Sequence, residues 1–560
     1  MIKKLITLSL ITSTALLAVN IPNAGDILRK VEPAKIPAIK KTLPSIEQEF
    51  KAPMEIKDDF KIMINSFTFS GNTVYSSEFL ASLIKEYNQK ELGINGLKTV
   101  ASIITKYYRD HGYFVARAYI PKQSMENGIV EIAIIEGTYG NFEVKNDSLV
   151  DTNIVQNYMN QLQGGERVSS KTLERQMLLI NDLSGATVTN AEVYPGEAIG
   201  TSDFRITASP TPKYTGYAIV DNYGSRYTGE GRLGAGAIIN SISGVGDSLA
   251  ITGLLSNTAN LKNARVAYER TLGYTGLRGG INSSITQYNL DKIDNYEGFG
   301  TMQSIGLNLS YPLIKTRAHT LSTNLTYDHK NMKDESGLIG TTDESLKKID
   351  TMTLSLNDAQ STTMANLPGS LQSSIGITAG NLTLGNNVAK DIDRDLKTEG
   401  SYAKLNLNLS HNQFLVQNLT LLSSLKAQKS LGKNLDFSED LSVTGSNGVR
   451  AYEDSELNGD QGYFASLELN YALPKLEAYS HSTSFFVDHA KMWRNDSHNF
   501  NTEKNTRILN AVGLGYTLNY KLFDLKATYA YGFGGEATPT TEAEFSTNKS
   551  KFLVQGMMRF

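Results

Sequence analysis

The sequence predicts a membrane β-barrel of about 16 antiparallel strands preceded by two smaller α+β units. Three observations carry that prediction. After Pro212 helical periods vanish, and strict alternation of apolar and polar residues recurs between clusters of Gly, Asn, Asp and Ser. The C-terminus, KFLVQGMMRF, alternates toward a terminal aromatic, with Phe552, Val554, Gly556, Met558 and Phe560 on one face and Lys551, Gln555 and Arg559 on the other. At the other end, Lys3 and Lys4 precede a nearly uncharged run from Leu5 to Val19, the layout of a secretory leader over residues 1–21. No later stretch supplies the ~18 consecutive apolar residues of a spanning helix, so membrane residence has to come from strands.

Residues 22–60 read as an extended linker. Five of the 13 prolines, Pro22, Pro33, Pro37, Pro44 and Pro53, fall here, around one short helical patch, DILRKV, that Pro33 ends. From Pro33 to residue 60 the chain can reach about 80 Å at ~3.1 Å per residue. Residues 61–137 form a first mixed unit. The strand IMINSFTFSG leads to a helix over Ser77 to Asn88, and a second helix repeats Leu97, Val100, Ile103, Ile104, Tyr107 and Tyr108 at helical spacing. Gly112 is the expected stop, and two strands follow, giving the order β-α-α-β-β. A second such unit covers residues 138–209, with NFEVKN as a strand and SSKTLERQMLLINDL as a helix.

From residue 210 to 560 the alternation is regular. Ile305, Leu307, Leu309 and Tyr311 face one way while Ser304, Gly306, Asn308 and Ser310 face the other. Leu405, Leu407 and Leu409 repeat the pattern against Lys404, Asn406 and Asn408, as do Val512, Leu514, Tyr516 and Leu518 further on. A soluble sandwich also alternates, but its apolar face is its core. A transmembrane barrel turns apolar residues to lipid and polar ones inward, and 28 tyrosines against one tryptophan suit a girdle made mainly of tyrosine. Leader, terminal phenylalanine and strand grammar together favour the barrel.

Composition narrows the function. With Lys+Arg 54 against Asp+Glu 57, net charge −3, no bulk field argues for nucleic acid. The absence of cysteine excludes disulfides and thiol chemistry. The seven histidines show no metal-ligand spacing, His481 beside Ser482 reads as a turn, and no phosphate-binding glycine loop occurs, so no catalytic residue, metal or cofactor is expected.

Several motifs then carry a resemblance: NAGDILRKVE near the start, YRDHGYFVARAYIP and the EG closing the first unit, LERQMLLINDLSG with PGEAIGTSD in the second, and VDNYGSRYTGEGRLGAG opening the barrel. The most specific is VRAY followed by GDQGY and a strand, between residues 448 and 469. With these the chain resembles the TpsB transporters of two-partner secretion, the hemolysin-activator and hemagglutinin-secretion family of the Omp85 superfamily.

The resemblance implies two periplasmic POTRA domains and an outer-membrane barrel that secretes a large TpsA exoprotein of hemolysin, adhesin or contact-dependent toxin type. An Omp85-type insertase is the alternative. It further implies that Val449, Arg450, Ala451 and Tyr452 lie in a sixth extracellular loop folded back into the lumen, with Arg450 paired to Asp488 of the wall motif Phe486, Asp488 and Ala490. A helix containing Asp26, Ile27, Leu28 and Arg29 would plug the lumen. Phe560 would serve as the C-terminal assembly signal. Implied partners are the TpsA client, outer-membrane lipid, whether lipopolysaccharide or phospholipid, and the outer-membrane assembly machinery, with the chain acting as a monomer or as a dimer. In a hydrated lumen the Arg450–Asp488 pair is expected to contribute only about 1 kcal/mol and to matter chiefly for loop position. Ala451 and Ala490 stand where the family usually has glycine; at a tip needing positive φ the former would cost about 1 kcal/mol.

Overall fold

The computed structural model describes residues 23, 24, 27, 45–47, 61–291, 296–338, 341–454, 457–496, 505–534 and 549–560. The leader expected over residues 1–21 lies outside these, as do Asp26, Leu28 and Arg29. In the linker, β1 (Ser45–Glu47) is a short strand. The first unit runs β2 (Ile62–Ile64), β3 (Ser66–Ser70), α1 (Ser77–Leu83), β4 (Lys90–Leu92), α2 (Ile94–Asp110), β5 (Arg117–Tyr119) and β6 (Ile129–Ile135). Its core forms because α2 places Leu97, Val100, Ile104 and Tyr108 on one stripe, against Val130, Ile132 and Ile134 of β6. Gly112 follows the helix at φ 93°, a left-handed stop.

Two expectations for this unit need correction. The first helix ends at Leu83, not Asn88, because Ile84 leaves helical geometry and a single tight turn, Lys85–Tyr87, follows. The strand IMINSFTFSG is broken at Asn65, whose N–H donates to the Gly128 carbonyl at 2.7 Å. So β2 pairs with β4 while β3 pairs with β6, which adds a two-stranded ribbon to the simple β-α-α-β-β order.

The second unit runs β7 (Thr138–Asn146), α3 (Thr152–Asn160), α4 (Ser170–Asn181), β8 (Ala186–Pro195) and β9 (Thr201–Pro210). β1 adds to this sheet in parallel, with Ser45 opposite Asn190, so the linker meets the second unit and occupies the outer edge of β8. Between the units Glu136 is buried and accepts from the Thr73 and Val74 N–H groups at 2.7 and 2.8 Å, from the Thr73 and Tyr108 hydroxyls, and from Arg167 Nε at 3.0 Å.

The remainder is a closed antiparallel barrel of 16 strands. It opens with β10 (Tyr214–Asp221), β11 (Arg232–Asn240), β12 (Ser248–Ser256), β13 (Leu261–Thr271) and β14 (Arg278–Asn289). The tall wall follows, β15 (Tyr296–Lys315), β16 (His319–Leu338), β17 (Thr341–Met364) and β18 (Leu367–Leu384), joined through α5 (Asn387–Leu396) to β19 (Gly400–Val416) and β20 (Leu419–Ser430). A long loop carries the short pair β21 (Leu441–Ser442) and β22 (Asn458–Gly459) before β23 (Gln461–Ala472), β24 (Tyr479–Trp493), β25 (Thr506–Tyr520), β26 (Phe523–Gly532) and β27 (Ser550–Arg559). β10 closes on β27 over five residue pairs, and the Phe560 and Gly216 backbones exchange hydrogen bonds of 2.8 and 3.0 Å beyond them.

Leu307, Leu405, Leu514 and Phe552 are exposed on the outside, as lipid contact requires. The inner face is not uniformly polar, however. Met302, Met332, Ile349 and Leu382 point inward and are buried, because they pack on Ala24 and Ile27.

The second α+β unit is fastened to the turns at one end of the barrel. Asp151 N–H donates to Gly244 O at 2.8 Å, Arg175 to Pro312 O at 2.9 Å, and Lys315 to Asp182 at 2.8 Å, while Arg317 pairs with Glu174 at 3.1 Å. The loop of residues 431–460 is therefore the sixth at the opposite end.

Candidate functional site in the barrel lumen

The sixth loop turns inward because its apolar residues have a wall to bury against. Val443, Val449 and Leu457 form one cluster with Phe464, Ala490, Met492, Leu509 and Ala511, the inward residues of β23, β24 and β25, and Ala451 and Tyr452 pack on its rim. Val449 N–H donates to Val443 O at 2.8 Å, which tightens the loop just before the arginine. Ala451 is not among the described residues with positive φ, so alanine carries no left-handed strain there.

Strand register fixes the receptor for Arg450. Asp488 stands opposite Ser466 and Phe486 opposite Glu468 in the β23–β24 ladder, and all four side chains are inward because Leu467, Phe485 and Val487 face out. Arg450 Nε and Nη2 donate to the two Asp488 oxygens at 2.9 and 2.8 Å, a fork-to-fork geometry. Nη1 donates to Glu468 at 2.7 Å, Nη2 also to Ser466 Oγ at 3.1 Å, and the arginine's own N–H to Asp488 at 3.2 Å. The guanidinium lies 3.3 Å from the centre of the Phe486 ring.

This pair is not the wet contact expected from a hydrated lumen. Asp488 is fully buried and Arg450 is 8 % exposed, since Phe486 and the loop's apolar cluster exclude water. Removing one partner then costs far more than an exposed pair contributes. Phe486 in turn rests on Gly513 of β25, where a Cβ would collide with its ring and with the Tyr529 carbonyl. Gly513→Ala is expected to tilt Phe486, lengthen the Arg450 contacts and strain the β25–β26 ladder, lowering the temperature at which the folded barrel loses its heat-modifiable mobility.

Sequence reasoning missed the other half of the attachment. Glu439 of the same loop pairs with Lys330 of β16 at 2.7 Å and Lys404 of β19 at 2.9 Å, and Asp436 pairs with Lys347 of β17 at 2.8 Å. The loop thus presents carboxylates to one arc of wall and a guanidinium to another. Glu468 had a legible signal: an inward acid two residues from an inward serine, in the strand directly after the loop. The lysines had none, since inward lysines are ordinary in a polar lumen.

Of the N-terminal patch, Ala24 and Ile27 are described, and both are fully buried in the lumen among Leu261, Tyr288, Met302, Met332 and Ile349. Ala24 N–H donates to Asp334 Oδ1 of β16 at 2.8 Å. Ala389 of α5 joins the same cluster from the loop end.

A 16-stranded barrel entered by its own loop and N-terminal segment, with two α+β units docked at one mouth, defines an outer-membrane transporter of the Omp85 type. Residues 200–518, more than half of the chain, match the family of haemolysin secretion/activation proteins ShlB/FhaC/HecB, and residues 62–137 match the ShlB-type POTRA domain. The chain belongs to this family, the TpsB transporters that move TpsA partner proteins across the bacterial outer membrane, and it is not an enzyme. It is 27% identical over 524 residues to the heme/hemopexin transporter protein HuxB of Haemophilus influenzae, covering 92% of each chain. It is 26% identical to the outer membrane transporter CdiB of Escherichia coli over 73% of this chain and 69% of that one. The solved structure of Escherichia coli CdiB superposes with a TM-score of 0.72 at 20% identity, covering 93% of this chain and 94% of that one.

Proposed function

We propose that the protein exports one large TpsA exoprotein through this lumen, with the POTRA domains receiving the unfolded client and the Arg450–Asp488 clasp setting the position of the sixth loop. The observation that carries this reading is a closed barrel whose interior is filled by segments of its own chain that are not barrel strands. Such fillers seal the pore at rest and can be displaced without breaking the wall.

Client capture by strand addition needs a free sheet edge, where backbone hydrogen bonds give affinity with little sequence demand. In the second POTRA domain the outer edge of β8 is occupied by β1, so a client strand adding there displaces the linker. In the first domain, whose sheet order is β3-β6-β5, both β3 and β5 are edges. The drive is the folding of the client outside the cell, which needs no nucleotide. Outer-membrane lipid covers the apolar outer face, the assembly machinery reads the strand ending in Phe560, and one copy suffices for the pore. The name of the HuxB relatives makes a heme- or hemopexin-binding exoprotein one candidate client.

The residues around Asp26, Ile27, Leu28 and Arg29 act as the plug. Deleting residues 22–32 is expected to raise single-channel conductance of the purified protein in planar bilayers severalfold. Conductance unchanged by the deletion would remove the plug from the mechanism.

A further inference from the structure

Two occupants of the lumen are attached to neighbouring positions of one strand pair. On β16, Asp334 accepts the Ala24 N–H of the plug segment at 2.8 Å, together with the Tyr288 hydroxyl. On β17, Lys347 donates to Asp436 of the sixth loop at 2.8 Å. In the β16–β17 ladder Asp334 stands opposite Ser345, and Lys347 opposite Met332. Asp334 and Lys347 are therefore diagonal neighbours on the lumen face, a spacing that a lysine side chain spans.

Asp334 and Asp436 are both buried, and a buried carboxylate is costly without a nearby cation. Lys347, whose side chain is 12 % exposed, is bonded to Asp436 and is the diagonal neighbour of Asp334. One acid holds the plug and the other belongs to the loop, so the two compete for a single ammonium.

We propose that Asp334, Lys347 and Asp436 form a relay that couples release of the plug to movement of the sixth loop, with Lys347 as its positioning residue. When the plug withdraws, Asp334 loses the Ala24 donor, draws Lys347 toward itself and loosens Asp436. When the loop moves first, Lys347 is freed to Asp334, whose oxygens then serve the ammonium at the expense of the Ala24 N–H. The coupling is reciprocal, as any binding linkage must be. Neither Arg450 nor Asp488 takes part, so the relay acts at the acidic end of the loop while the clasp holds the other.

The inference rests on reading residues 22–32 as the plug, and the test separates the two. Asp436→Asn is recorded in planar bilayers in the full chain and in the chain lacking residues 22–32. In the full chain the open probability is expected to rise about 5-fold or more, the lower range of a coupling between sites. In the deleted chain it is expected to change by less than about 2-fold. Adding Lys347→Gln is expected to suppress the rise in the full chain, because no freed ammonium remains to reach Asp334. An equal rise in both backgrounds, no rise in the full chain, or a rise that survives Lys347→Gln overturns the relay. A deletion that by itself leaves the channel unchanged removes the plug and the relay together. Should Asp436→Asn fail to assemble, Ser438→Ala, which removes the hydroxyl bonded to Asp436 Oδ1 at 2.8 Å, is expected to give a rise of about 2-fold in the full chain only; no rise there counts against the relay.

Discussion

Arg450→Ala is expected to yield a barrel that assembles and shows heat-modifiable mobility but secretes almost no client. The wall does not need the arginine: its ladder of backbone hydrogen bonds between β23 and β24 runs from Gln461–Trp493 to Ala472–Ser482 without it. The loop does. With the guanidinium gone, the fully buried Asp488 keeps Ser466 Oγ at 2.8 Å and the backbone N–H of position 450 at 3.2 Å but no cation, and Glu468 loses the Nη1 contact at 2.7 Å. Breaking a buried pair in this way costs about 3–5 kcal/mol. Spread over a loop-in against loop-out equilibrium, that cost moves the population by a factor of roughly 100 or more. Arg450→Lys is expected to fall between the two, because an ammonium keeps the charge but cannot bridge both Asp488 oxygens and Glu468 at once. Secretion of the client into the medium, measured beside the amount of folded barrel, is the readout. Near-normal secretion by Arg450→Ala ends the claim that the clasp matters for transport.

The second large effect lies outside the barrel, at the joint between the POTRA domain of residues 62–137 and the α+β unit that follows it. Burial pushes the Glu136 carboxyl up, but the hydrogen bonds from Thr73, Val74 and Tyr108 more than offset this and hold its pKa below the ordinary glutamate value. Burial first, and then the contact with the Glu136 carboxylate, pushes the Tyr108 hydroxyl up. Glu136→Gln keeps one acceptor and turns an amide NH2 toward groups that are already donors. Hydrogen bonds to a charged acceptor contribute about 1.5–3 kcal/mol each when probed singly, so a loss of roughly 2–4 kcal/mol for the set is expected.

The sign with pH follows from the depressed value. The stabilisation is fully present above the unfolded glutamate pKa, near 4.5, and is lost as pH falls through the lower folded value. The POTRA transition of the full-length protein, followed by thermal melting, is therefore expected to lie well below wild type for Glu136→Gln at pH 7. The gap should shrink as the medium is acidified below the glutamate range. A gap of constant size from neutral to strongly acid pH would mean that the carboxylate is not the stabilising species.

Much of the fold was legible because alternation is a local property. A residue two positions from Leu307 must share its face, and that rule carries along the barrel strands, whatever lies across the lumen, except at irregularities such as Pro312/Ile314 and Phe414/Val416. The POTRA helices were legible for the same reason at period 3.6, although the end of α1 was not, since the backbone of Ile84 and the following turn depend on the β2–β4 ribbon packing beside them. The arginine loop was reached through a resemblance in its motif rather than through spacing. The burial of its ion pair was not legible, because sequence does not tell how much apolar surface will close over a charge.

By itself, then, the sequence determined that the strands around Leu307, Leu405, Leu514 and Phe552 turn their apolar side to lipid, and that VRAY and its wall motif form a pair to look for. Only the tertiary structure decided which lumen-facing charges meet. Ala24 reaches Asp334 across 310 positions, and Glu439 collects lysines from two strands that are not neighbours. Those meetings depend on strand stagger and on how the loop folds inside a closed wall, which are properties of the whole barrel, whereas face alternation is written two residues at a time.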